Sequence, residues 1–188
     1  MIEAFILILY IVVISPILIY YQITTPLVAF MLLFLFSLPG LYAMYRGAPY
    51  LPSARKKVTA MITLANINSD SIVYDLGSGD GRLVFASQQA GAKKSIGYEL
   101  SIPVYLYSKI KSLFNPRTQI RYKDFWFDAP KFKDADVIFC FLMIKSMQTF
   151  EKKIWPHLKP GALVVSNAFR IPNQVPIYDQ DNLRIYRK

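Results

Sequence analysis

Eight residues constrain this chain more than any others: Asp75-Leu76-Gly77-Ser78-Gly79-Asp80-Gly81-Arg82. They close an apolar, β-branched run, Ser71–Leu76, and open a stretch, Gly81–Ala90, that reads as a helix. Glycine at every second position lets the backbone turn sharply and approach a ligand without Cβ clashes. A helix that starts at such a bend turns its free N–H groups toward whatever sits there. Strand, glycine bend and helix in that order belong to α/β architecture.

The remaining sequence keeps the alternation. Ser95–Leu100, Gln119–Lys123, Asp136–Leu142 and Ala162–Asn167 read as strands, and Pro103–Phe114 and Lys145–Trp155 as helices. Short strands within Val175–Asp179 and Leu183–Arg187 are expected to finish the sheet. The near-continuous apolar run DVIFCFL is that of a strand covered on both faces. The expected fold is a mostly parallel, Rossmann-like sheet with helices on both sides.

Ligands in such sheets bind at the carboxyl ends of the strands. Asp75 and Asp80 lie there in the glycine bend, Glu99 ends the second strand, and Asp124 follows the third. Glu99 stands where a carboxylate grips ribose hydroxyls, and Asp124 where it would reach an adenine amino group. A pyrophosphate cofactor is disfavoured, because two like charges 4 Å apart repel by roughly 4 kcal/mol at an effective dielectric of 20. The glycines also run G-x-G-x-G, which differs from the dinucleotide fingerprint G-x-G-x-x-G. S-adenosylmethionine carries no phosphate and offers an ammonium and a sulfonium to nearby acids, so it is the expected cofactor. Asp75, Gly77, Ser78, Gly79, Asp80, Gly81, Glu99 and Asp124 are its expected contacts.

Charge divides the chain unevenly. Residues 1–45 contain Glu3 and no Lys or Arg, so all 22 basic residues lie in 46–188. Ile2–Tyr21 is long enough to cross a hydrocarbon core as a helix. Gln22–Thr25 reads as a turn, with Thr25 as N-cap and Pro26 as first residue of a second helix reaching about Met44. That second helix spans only if Pro39-Gly40 kinks it without ending it. A transmembrane hairpin, helices about 2–21 and 26–44, is expected, with one span plus a buried or interfacial helix as the alternative. A cleaved signal peptide lacks its basic start here. Arg46, Arg55, Lys56 and Lys57 follow the second segment and place residues 46–188 on the cytoplasmic side. With no Arg- and Ser-rich leader, a prokaryotic inner membrane is the expected setting.

One Cys, Cys140, excludes an intramolecular disulfide, and one His, His157, excludes a site built on several imidazoles. No metal is expected. Cys140 sits in an apolar strand and reads as core, and His157 as a surface or capping residue. The aromatic run Phe125-Trp126-Phe127 reads as packing or membrane-interface contact. The basic surplus suits anionic lipid headgroups, with no nucleic-acid recognition motif beside it.

DLGSGDGR resembles motif I of class I S-adenosylmethionine-dependent methyltransferases. Pro49-Tyr50-Leu51-Pro52 upstream, Gly97-Tyr98-Glu99-Leu100, and Leu158-Lys159-Pro160-Gly161 before Val164-Val165-Ser166 narrow the likeness. Over about Gly47–Lys188 the chain resembles the membrane-anchored protein-lysine methyltransferases. These include the mitochondrial enzymes acting on the ATP synthase c subunit and the adenine nucleotide translocase. Two stretches depart from that pattern: Ser101-Ile102 replaces Asn-Pro, and Leu142–Lys145 lacks the usual Leu-Pro where substrate is held. The resemblance implies N-methylation of lysine in a membrane protein. Methyl transfer to an amine needs a neutral amine, close approach and exclusion of water. Aromatic faces suit a cationic transferring centre, and Tyr50 and Phe141 are the catalytic candidates. Methylation of a lipid or quinone, or a non-catalytic cofactor-binding scaffold, are the alternatives.

Overall fold

A computed structural model describes residues 9–20, 26–46 and 50–188. It divides into two units, Met1–Leu41 and Tyr42–Lys188.

In the first unit a π-helical turn, Tyr10–Ile14, runs into helix α1, Ser15–Tyr20. Helix α2, Pro26–Arg46, continues unbroken through positions 39 and 40, so the Pro-Gly pair does not end it. Phe30 to Leu35, Leu38, Leu41 and Tyr42 are exposed along it. Counted over the described residues alone, no helix is long and apolar enough to cross a membrane. The expected first helix before Leu9, the turn at 22–25, and Pro49 of the upstream motif lie outside the described residues.

The second unit is a seven-stranded sheet in the order β3-β2-β1-β4-β5-β7-β6. The strands are β1 (Ile72–Leu76), β2 (Lys94–Glu99), β3 (Thr118–Tyr122), β4 (Val137–Cys140), β5 (Leu163–Asn167), β6 (Tyr178–Gln180) and β7 (Leu183–Arg187). The first five are parallel, while β7 runs antiparallel to β5 and β6 antiparallel to β7. The helices are α3 (Arg55–Ala65), α4 (Arg82–Gln89), α5 (Ile102–Ser112) and α6 (Ile144–Lys153).

Period-two alternation sorts the strand residues onto two faces. Tyr74, Leu76, Ile138, Cys140, Val164 and Tyr186 join one core, with Phe132, Met147 and Phe150 packed against them. Val73, Val137, Phe139, Val165 and Ile185 join the other, beneath Met61, Ala65 and Leu83. A sheet buried on both faces needs the near-continuous apolar strands that β1 and β4 supply. Helix α3 was not among the expected elements. It begins after Ala54, which gives no side-chain cap, and ends where Asn66 turns left-handed.

Cys140 is buried, and burial pushes its thiol up to about 12, which suits core and not a nucleophile. His157 is exposed at the end of a short 3-10 turn. The aromatic run divides: Phe125 and Trp126 are core, whereas Phe127 is 73 % exposed.

Candidate active site

Strand β1 delivers Asp75 and Leu76 to the carboxyl edge of the sheet, and the chain then folds back over the end of β2. The N–H groups of Gly77 and Ser78 both donate to the Tyr98 carbonyl, at 3.0 and 2.8 Å. Gly81 closes the bend by donating to the Ser78 carbonyl, and helix α4 starts at the next residue. Gly77 and Gly79 hold φ of +84° and +54°, which glycine adopts at least cost. A Cβ on Gly77 would meet nothing within 4 Å, so the outer side of the bend is open. A Cβ on Gly79 would lie 2.8 Å from the Tyr50 ring, which therefore rests on the bend itself.

The four carboxylates of this edge fall into different electrostatic states. Asp75 is buried, and none of the described residues donates a hydrogen bond to it or pairs with it in a salt bridge. Desolvation first, and then the charges of Glu99 and Asp80, push its pKa up to about 8. Glu99 accepts from the N–H groups of Gly79 (2.8 Å), Leu100 (2.9 Å) and Ser101 (2.7 Å). Burial raises it and those three bonds partly offset the rise. Asp80 differs, being held by the Arg82 guanidinium in a forked pair at 2.8 and 2.7 Å. Burial alone would raise Asp80, but the Arg82 contacts outweigh it and hold the carboxyl below its usual range. Asp124 accepts from the Trp126 N–H at 3.0 Å and caps the 3-10 segment Phe125–Asp134. Of the four acids, Asp80 is thus neutralised by Arg82, whereas Asp75 has no described cation and Glu99 is held by backbone donors.

Ser78 turns its hydroxyl beneath the bend, where a Cβ on Gly97 would come within 2.5 Å of Oγ. Among the described residues that buried oxygen has no hydrogen-bond partner. Phe141 follows β4 and stacks on Phe169 with ring centroids 6.1 Å apart.

The segment Tyr50–Ser53 crosses this edge, tied by contacts that sequence reading did not anticipate. Arg82 donates to the Ser53 carbonyl as well as to Asp80. Asn167, at the end of β5, donates to Ser53 Oγ at 3.2 Å and accepts from Lys57 Nζ at 2.9 Å. Partners about 110 residues apart in the chain thus fix the strap over the strand ends. Desolvation, and then the Asp80 charge, raise the Tyr50 hydroxyl pKa. Arg82 ending the glycine motif was the one local signal of this arrangement.

The arrangement fits an adenosine bearing positive charge. Asp75 is a buried carboxyl with no cationic partner among the described residues, Glu99 is preset by three backbone donors, and the space over Gly77 is open. The cations described beside the bend are already committed and do not offer themselves to a pyrophosphate. Arg82 holds Asp80, the Ser53 carbonyl and the Tyr50 hydroxyl, and Lys111 donates to the Asp80 carbonyl at 3.4 Å.

Comparison with known proteins agrees. The model of the ANTKMT methyltransferase domain matches residues 75–178. A protein-lysine N-methyltransferase of Saccharolobus islandicus (strain REY15A) is 35% identical over 127 residues, 65% of this chain and 78% of that protein. The adenine nucleotide translocase lysine N-methyltransferase of Mus musculus is 30% identical over 132 residues, covering 69% of this chain and 56% of its own length. The ATP synthase c-subunit lysine N-methyltransferase of Xenopus laevis is 30% identical over 131 residues, 68% of this chain and 56% of that protein. The chain thus spans little more than half the length of these vertebrate relatives. Among solved structures, an RNA methyltransferase from Salinibacter ruber, in complex with S-adenosyl-L-homocysteine, aligns with a TM-score of 0.65. Identity there is 26%, over 73% of this chain and 92% of that one.

Proposed function

Because this chain belongs to the ANTKMT methyltransferase family of class I S-adenosylmethionine-dependent enzymes, we infer that it N-methylates lysine side chains of a membrane protein. Its cofactor is S-adenosylmethionine. The lysine reading rests on relatives named for that activity. The observation that carries the site is Asp75, a buried acid with no described cation of its own beside an open glycine bend.

Asp75 and the backbone of Gly77–Gly81 would hold the cationic amino-acid end of the cofactor, Glu99 its ribose, and Asp124 its adenine. Bound there, S-adenosylmethionine supplies an electrophilic methyl group on a positively charged sulfur. The protein contributes positioning. Tyr50, its ring lying on the bend and its hydroxyl bonded to Arg82, would offer a ring face to the reacting centre. Phe141 and Phe169 form an apolar wall at the end of β4 and β5 that keeps water out. Desolvation by such a wall favours the neutral form of a substrate lysine. Nothing in this scheme requires a strong general base.

An N-terminal membrane anchor is proposed on sequence, since residues 1–45 are apolar and carry no Lys or Arg, and helix α2 lies within that stretch almost entirely. Its exposed apolar surface suits lipid better than water. Arg46, Arg55, Lys56 and Lys57 favour a cytoplasmic face, in a prokaryotic inner membrane. Anchoring would confine enzyme and membrane substrate to one surface and raise their effective concentration. Membranes incubated with methyl-labelled cofactor test the proposal. Label on a protein band, at lysine, is the expected result; label confined to the lipid extract would replace it with lipid or quinone methylation.

A further inference from the structure

Most surface helices bury an apolar face and show water a polar one. Helix α5 departs from that rule. It buries Val104 and Ser108, while Ile102, Leu106, Ile110 and Leu113, spaced four, four and three residues apart, are exposed in one stripe. Leu113 is 73 % exposed and Phe114 81 %. Tyr122, at the end of edge strand β3, packs on Tyr105 of α5 with ring centroids 5.4 Å apart and extends the apolar surface.

Charge on this side has one sign. Between Ser101 and Lys123 the chain carries five basic residues and no acid. The next two acids, Asp124 and Asp128, are buried. Lys111, Arg121 and Lys123 are engaged by the Asp80 carbonyl, Tyr98 and Asp128, which leaves Lys109 and Arg117 as the cations for a ligand. An apolar stripe flanked by these and by no acid complements an anionic interface, where side chains enter the acyl boundary and cations meet headgroups. A water-facing helix of a soluble enzyme gains nothing from such a stripe.

We propose that the outer face of α5, with Tyr122, is a docking surface for an anionic lipid bilayer, a second membrane contact separate from the N-terminal anchor. Its chemistry is its own, although its use assumes the membrane setting proposed above. It would hold the cofactor edge, where α5 begins right after Glu99, at the surface on which a membrane-embedded lysine is offered.

The test uses the full chain in vesicles, with an environment-sensitive dye on Leu113→Cys; Cys140 is buried and stays unlabelled. In phosphatidylcholine vesicles containing phosphatidylserine, the dye should shift to the blue and be quenched by a lipid-borne quencher. The quenching should fade at high salt, and in a Leu106→Gln/Ile110→Gln variant. Lys109→Gln/Arg117→Gln should weaken the contact roughly 25-fold, about fivefold per charge. A dye that stays open to aqueous quencher in these vesicles would overturn the proposal. So would protection that appears only when membrane protein is added, which would make the face a protein-docking surface. Calorimetric binding of S-adenosylhomocysteine by the same samples reports separately on the enzyme assignment.

Discussion

Asp75, at the end of β1, and Asp128, in the 3-10 segment Phe125–Asp134, are both buried aspartates, and they are in opposite states. Asp128 accepts from Lys123 at 2.7 Å, Lys131 at 3.0 Å and Tyr98 Oη at 3.1 Å, and Arg121 backs the tyrosine at 2.7 Å. Burial would raise it, but those bonds prevail and hold it below the usual carboxylate range. Asp75 has no such partners among the described residues and is pushed up to about 8. Burial therefore does not distinguish a structural acid from a working one. The distinction lies in whether the fold supplies the counter-charge or leaves it to a ligand.

The sharpest attack on that contrast is Asp75→Asn. Removing a buried acid that waits for a ligand's counter-charge should weaken S-adenosylhomocysteine binding about 100-fold by calorimetry, roughly 3 kcal/mol. The ligand-free variant should melt higher than the parent, because an acid with a raised pKa costs stability as pH climbs from 4 toward 8. Equal affinities in the two proteins would end the distinction between the two aspartates. Asp128→Asn should do the reverse, losing about 2 kcal/mol of stability in urea titrations while ligand affinity holds.

A third measurement needs no mutation. If a cationic ligand favours ionised Asp75, binding releases a proton below about pH 8. Affinity should then climb by up to about tenfold per pH unit through neutrality and level off near 8. The slope should vanish in Asp75→Asn and survive in Asp128→Asn. The smallest effect is expected at the strap: Lys57→Gln gives up the bond to Asn167 and should raise the cofactor KM only a few-fold, about 1 kcal/mol or less.

The glycine bend and its flanking elements were readable because their signals are local. A β-branched run, alternate glycines and a following helical stretch all fall within about twenty residues, and β1 and α4 form there. Helix α3 gave no such signal: RKKVTAMITLA mixes β-branched residues with an uncapped start, and it is stabilised by packing against Leu83 and the sheet. The ties of Ser53 to Arg82 and Asn167, and of Lys57 to Asn167, join residues far apart in sequence, which no spacing rule can foresee. Asp128 was also missed, because a carboxylate beside Pro130 reads as loop until its three partners converge on it. The acids of the bend were legible as a group. Their separate fates were not, since these depend on where Arg82 folds back.

The contact between Gly79 and Tyr50 carries a consequence for the history of the family. A methyl group at position 79 would stand 2.8 Å from the ring, too near for both to stay where they are. Natural variation at these two sites should be coupled, so that sequences gaining a side chain at the first have traded the aromatic at the second for something slimmer. An ancestor that passed through one change without the other would have carried a disturbed bend, which makes the paired exchange a rare step and a usable marker of descent.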